Sequence, residues 1–186
     1  MKNFLKVFIL AAGLVLYFNV SSFAIVDVAG WAGLFQGDAN PVSTQGGQLG
    51  VKAHYNTPLT PLFNLGVGGY YQRLFLTYED LGLNCDDIIR SSAGLDVNLI
   101  LSVTPSINPY FRGTWAFWDK METDPLDHVP KVTHTNKFKA FGLGIGIEFT
   151  VTSFLKIFGE YMFDKTKHYD EKFTSNLFNV GLKLDF

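Results

Sequence analysis

The chain has 186 residues, 47% of them hydrophobic and 16% aromatic, and a formal net charge of −2. A length of this order holds one compact unit, and without a lysine or arginine cluster nothing marks nucleic acid as a partner. The single cysteine, Cys85, rules out an internal disulfide, so the fold does not depend on a bridge even in an oxidising compartment.

Lys2 and Lys6 precede an apolar run from Val7 to Phe18, and Ser22-Phe23-Ala24 follows as a small-x-small cleavage site. This is the pattern of a secretory signal peptide; the run falls short of the roughly 20 residues that span a bilayer. Residues 1–24 are therefore expected to be cleaved, and 25–186 to form the mature domain. Losing two lysines and no acids leaves 13 basic against 17 acidic side chains and a charge of −4 on that domain. Cys85 lies far from the cleavage site, which excludes a lipoprotein anchor there.

Beyond the leader the dominant period is two. Leu49, Val51, Ala53 and Tyr55 alternate with Gly50, Lys52, His54 and Asn56, and Ala93, Leu95, Val97 and Leu99 alternate with Gly94, Asp96, Asn98 and Ile100. In "FGLGIGIEF", Phe141 to Phe149, every glycine falls at an even position; a strand collects them on one face, whereas a helix would scatter them. Leu155 to Asp164 and Phe178 to Phe186 repeat the alternation. Three noisier stretches, Val26 to Gln36, Leu62 to Thr77 and Pro109 to Trp118, bring the expected number of strands to eight.

The connections alternate in length. Thr57 to Pro61, Thr104 to Asn108 and Thr152-Ser153 read as short turns, and their opening threonines recur every 47 and 48 residues. Gly37 to Thr44, Tyr78 to Asp87, Asp119 to Thr135 and Lys165 to Glu171 read as long polar loops, all at the opposite end. The repeat is a strand-turn-strand-loop unit and not a solenoid.

Eight antiparallel strands close into a barrel with either an apolar or a polar interior. The polar face here is mostly glycine, serine and asparagine with isolated charges, which suits a narrow lumen better than bulk water. The other face is almost free of charge, as lipid demands, because a Lys or Arg at the bilayer midplane costs about 2 to 4 kcal/mol. The expected fold is thus an all-β, eight-stranded antiparallel up-and-down transmembrane β-barrel.

With its signal peptide, eight alternating strands, short turns opposite long loops and a last strand ending Leu184-Asp185-Phe186, the chain resembles the small outer-membrane β-barrel proteins of Gram-negative-type bacteria. That group includes the OmpA transmembrane domain and the OmpX, OmpW and opacity-type proteins. The resemblance implies an outer-membrane location reached through the secretory pathway, periplasmic termini and extracellular long loops. It also implies surrounding lipid and lipopolysaccharide, the barrel-assembly machinery as an insertion partner, and a monomer without cofactor. By the same likeness Phe178, Val180, Leu182, Leu184 and Phe186 form the C-terminal assembly signal.

Function is expected to lie in the lumen or in the loops. Lys52, Arg90, Asp96, Arg112, Glu148, Lys156, Glu160 and Lys183 all fall on the polar face. They read first as a salt-bridge plug, leaving recognition of an extracellular ligand to the loops, and second as the lining of a narrow porin-like channel for ions or small solutes. Tyr71, Trp115, Phe117, Tyr161 and Phe163 read as membrane-interface aromatics, as do Tyr70 and Trp118. A lipid A-modifying enzyme is the remaining alternative, but His54, His134 and His168 are not followed by the His-x-Ser pair of the deacylase type, and no helix precedes the first strand. The loop residues His128, Asp124, Asp127 and Asp86-Asp87 match no metal-ligand spacing, so no metal is expected.

Overall fold

The computed structural model describes residues 25–39, 42–80, 83–123, 133–135, 139–168 and 171–186; the expected signal peptide, 1–24, lies outside them. Nine strands follow one another: β1 (Ile25–Ala39), β2 (Val42–Pro58), β3 (Phe63–Asp80), β4 (Leu83–Leu101), β5 (Ile107–Thr123), β6 (Thr133–Thr135), β7 (Lys139–Thr150), β8 (Leu155–His168) and β9 (Glu171–Asp185). All neighbours pair antiparallel. Eight of them close a barrel, with β1 and β9 in register from Asp27 opposite Asp185 to Asp38 opposite Thr174. The ninth, β6, is a three-residue strand on the upper part of β5. Closure follows from lipid, which cannot hydrogen-bond an open strand edge.

The strands are longer than the 9 to 11 residues that cross a membrane: β4 has 19 and β3 has 18. The expected long loops are largely strand. Cys85, expected in a loop, pairs opposite Tyr78 within the β3–β4 ladder, and β5 runs on to Thr123. The polar ladders extend the wall past the bilayer because antiparallel pairing continues wherever nothing breaks it.

The short turns carry a second correction. Thr57 belongs to β2, and the residue equivalent to Thr104 and Thr152 is Thr60. The Thr60 hydroxyl accepts from the backbone N–H groups of Leu62 and Phe63 at 3.2 and 3.1 Å. Thr104 accepts in the same way from Ser106 and Ile107, at 3.3 and 2.9 Å, and Thr152 from Leu155 at 3.1 Å. A side-chain oxygen takes up the donors that a tight turn leaves unpaired, and this favours threonine as the first residue of each turn.

Outside, Leu34, Phe111, Phe141, Ile145, Val180 and Leu182 are exposed, an apolar belt of the kind lipid requires. Inside, bulky side chains lie over glycines. A Cβ on Gly50 would strike the Trp31 indole, one on Gly146 the Tyr110 ring, and one on Gly181 the Phe158 ring. The glycine face of β7 is therefore a set of recesses for aromatic and thioether groups of the two adjacent strands; Met162 of β8 lies over Gly144, its partner in the ladder. Trp31, Tyr70, Tyr110 and Phe158 form one buried cluster, and Phe35, Leu74, Met162 and Leu177 another above it. Tyr70, expected at the membrane interface, is one of these interior residues.

Overpacking a filled interior typically costs about 1 to 3 kcal/mol. Gly146→Val should accordingly lower the barrel's unfolding free energy by about that amount in urea titrations. Gly159→Val, whose added carbon meets no atom within 4 Å, should leave it unchanged.

Candidate functional site: the charged lumen

An interior eight strands wide is just large enough to be filled by side chains, and here much of the filling is ionic. Lys52, Arg90, Asp96, Arg112, Glu148, Glu160 and Lys183 are buried, and Lys156 is partly so. Seven of these eight belong to one connected network. Arg112 on β5 donates from Nε and Nη2 to Asp96 Oδ2 on β4, at 2.8 and 2.5 Å, and from Nη1 to Glu160 Oε1 on β8. Lys52 on β2 reaches the other Glu160 oxygen at 3.4 Å, and Tyr110 donates to that same oxygen at 2.8 Å.

From Asp96 the chain descends through His54. Its Nε2 lies 3.2 Å from Asp96 Oδ1 and its Nδ1 2.9 Å from Asp27 Oδ1. Asp27 on β1 is held further by Asn56, which donates at 2.7 Å, and by Lys183 at 3.5 Å. Lys183 donates to Glu148 on β7, and Lys156 joins Glu148 at 3.8 Å to Asp185 at 2.6 Å. Every barrel strand except β3 contributes a charge. β3 contributes the Tyr70 ring, 5.9 Å from the Arg112 guanidinium, while the Trp31 indole lies 4.8 Å from that guanidinium. Lys52 is likewise placed over Phe158, at 4.7 Å from the ring centre.

Arg90 stands apart, one level higher. It forms a two-pronged pair with Asp119, at 2.9 and 2.5 Å to Oδ2, and donates to Thr166 at 3.0 Å. Below the lower network, at the short-turn end, a cavity of about 170 Å³ is lined in part by Asn56, Asn64, Ser102, Asn108 and Lys156.

Two acids of the lumen, Asp27 and Asp119, escape simple alternation, and a third, Asp164, does not. Asp27 lies on the noisy first strand. Asp164 shares the face of Glu160 and was legible from it. Asp119 was hidden by a bulge: Gly94 faces Ala116 but Ala93 faces Trp118, so Phe117 is an extra residue in β5. The bulge reverses the alternation above it, turning Asp119 inward to complete exclusion from solvent while Phe117 stays exposed outside.

The exterior completes the picture. Tyr71, Trp115, Phe117, Tyr161 and Phe163 are all exposed and lie six to ten residues from the short turns, toward the long connections. Tyr71 stacks on Trp118 at 6.3 Å, and Tyr161 packs against Phe178 at 4.8 Å. Phe178, Val180, Leu182, Leu184 and Phe186 all face outward, Phe186 being 75% exposed; the backbone N–H of Phe186 donates to Val26 at 2.8 Å. Among the described residues no cluster of His, Cys, Asp and Glu is arranged to hold a metal. His128, Asp124 and Asp127 lie outside those residues.

No family model matches the chain, and no curated protein matches it. Solved structures do. Neisserial surface protein A superposes with a TM-score of 0.64 at 16% identity, over 89% of this chain and 100% of that one. The attachment invasion locus protein Ail of Yersinia pestis gives 0.53 at 11% identity, over 88% and 100%. A major outer membrane protein of Thermus thermophilus gives 0.51 at 17% identity, over 89% and 100%. The chain thus has the fold of the small eight-stranded outer-membrane barrels, and its apolar exterior suits that membrane.

Removing one partner of a buried ion pair typically costs about 3 to 5 kcal/mol, because the other charge is left without compensation. Arg112→Ala takes the guanidinium from both Asp96 and Glu160, leaving them only His54 and Lys52 as basic partners, and should lower stability by about that much. Lys120→Ala, at a half-buried pair with Glu122, should change it by less than about 1 kcal/mol. Chemical unfolding of the two variants in parallel measures the difference.

Proposed function

We propose that this protein is a non-enzymatic, non-conducting outer-membrane barrel that acts at the cell surface through its long connections. The observation that carries the reading is the lumen: the ion pairs from Arg90 to Lys156, together with the aromatic and aliphatic clusters, fill the interior at successive levels. The strands run on beyond the apolar belt at the outer end only, which leaves recognition to that end. Among the neighbours in fold, Neisserial surface protein A is a surface protein by name, and Ail is named for attachment and invasion, which favours the same setting for this chain.

A narrow channel is the second reading, favoured by the fact that Glu160 is shared between Arg112 and Lys52. A shared acid is a place where pairing could rearrange to let an ion pass. Catalysis is disfavoured by the surroundings of the buried His54. Both its ring nitrogens lie against carboxylates, so neither is available as a base to a nucleophilic hydroxyl. Phe186 and the outward residues behind it are assigned to recognition by the barrel-assembly machinery; lipid and lipopolysaccharide surround a monomer.

Two measurements check this. Wild-type protein in planar bilayers should give no stable conductance steps; reproducible steps that Glu148→Ala alters would establish the channel instead. Deleting Phe186 should reduce the amount inserted in cells several-fold while leaving the refolded barrel's unfolding midpoint nearly unchanged, and normal membrane levels of the truncation would remove the assembly role.

A further inference from the structure

The outer wall over β2, β3 and β4 departs from a smooth lipid-facing surface. An apolar groove of about 350 Å³ runs across it, lined by Val28, Val51, Ala53, Gly69, Tyr71 and Phe117. Its depth comes from small residues: Ala53 and Gly69 are opposite each other in the β2–β3 ladder. Val28 is in the same row, and Tyr71 and Phe117 rise as walls on the outer side. A lipid-facing wall of ordinary Leu, Val and Phe has no such recess.

Arg73 is the next outward residue on β3 beyond Tyr71 and is exposed. Its guanidinium lies 5.6 Å from the centre of the Phe75 ring, and among the described residues no carboxylate pairs with it. Every other arginine among those residues is buried in an ion pair. A cation on the lipid-facing surface is tolerated near the interface, at a cost of about 0 to 1 kcal/mol, and not at the midplane. With the long connections facing outward, as proposed above, Arg73 is at the level of the outer-leaflet headgroups, on the outer side of the apolar groove. Guanidinium groups hold phosphate through paired N–H donors, and an apolar groove with one charged end matches an amphiphile with an anionic head.

We infer that this wall is a binding site for one molecule of the phosphorylated glycolipid of the outer leaflet, with an acyl chain in the groove between Val51, Gly69 and Phe117 and a phosphate on Arg73. The site is independent of whether the lumen conducts. It would give the barrel a fixed lipid on one side and a preferred orientation toward its neighbours in the leaflet.

Native mass spectrometry of the full-length mature barrel, released from nanodiscs containing lipid A in a phosphatidylcholine background, tests this. The wild type should retain one lipid A, and Arg73→Gln should lose it at least tenfold. Gly69→Leu, which fills the groove where an added Cβ meets only a 3.4 Å contact with the Gly94 carbonyl, should lose it to a similar extent. Lys165→Gln removes an outward cation from the opposite wall, where Lys165 lies 5.4 Å over Phe163, and should leave retention unchanged. The site is overturned if Arg73→Gln retains lipid A at the wild-type level, or if Lys165→Gln loses as much. Equal retention of phosphatidylglycerol in place of lipid A would overturn the glycolipid assignment. Should Gly69→Leu fail to show the folded band on unheated gels, the two charge variants still decide.

Discussion

A bilayer offers no water to an unpaired backbone group, and most of this molecule follows from that one deficiency. Strand edges have to be joined, so β1 meets β9 along nearly their whole lengths. Joining eight strands sets a fixed, narrow bore. A bore of that width has no room for a water column, and the residues left over by the lipid-facing alternation have to fill it. Many of those residues are polar, and in a space of low dielectric they are tolerable only when paired. The network from Arg112 to Asp185 is the consequence of closure and needs no functional pressure to explain it.

The network is also a mechanical element. A hydrogen-bonded ladder ties each strand only to its two neighbours, whereas Arg112–Glu160 and Lys183–Glu148 each skip one strand and Lys52–Glu160 skips two. Aromatic rings stiffen this tie by stacking against the cations, and the glycines opposite them provide room. Rigidity of the wall leaves the outer connections as the part of the chain free to vary in shape.

Alternation made the barrel legible before any coordinates, because a period of two over ten residues has one physical cause. The same alternation placed Lys52, Arg112, Glu148 and Glu160 on the inner face, and the structure joins them. It could not say which acid meets which base, since partners such as Lys52 and Glu160 are 108 residues apart and are brought together only by closure. Asp27 was lost in a strand where Ala29, Trp31 and Phe35 face inward, so that both faces look apolar. Thr60 was mistaken for Thr57 because both precede a proline, and the hydroxyl-to-backbone bonds that distinguish them are not visible in the letters. Arg73 went unremarked on a stretch, Leu62 to Thr77, whose register was obscure for the same reason.

The bulge at Phe117 makes β5 a strand with two phases. Below it the odd residues face lipid and the even ones the bore; above it the assignment is exchanged. One inserted residue therefore acts as a phase shifter, letting the lower part of the strand obey the membrane while the upper part delivers Asp119 to Arg90. In the descent of such barrels, a single-codon insertion or deletion at that position would exchange the inner and outer faces of everything beyond it at one stroke. The outer rim of this strand can thus be rewritten as a block, while the membrane-spanning half keeps its alternation.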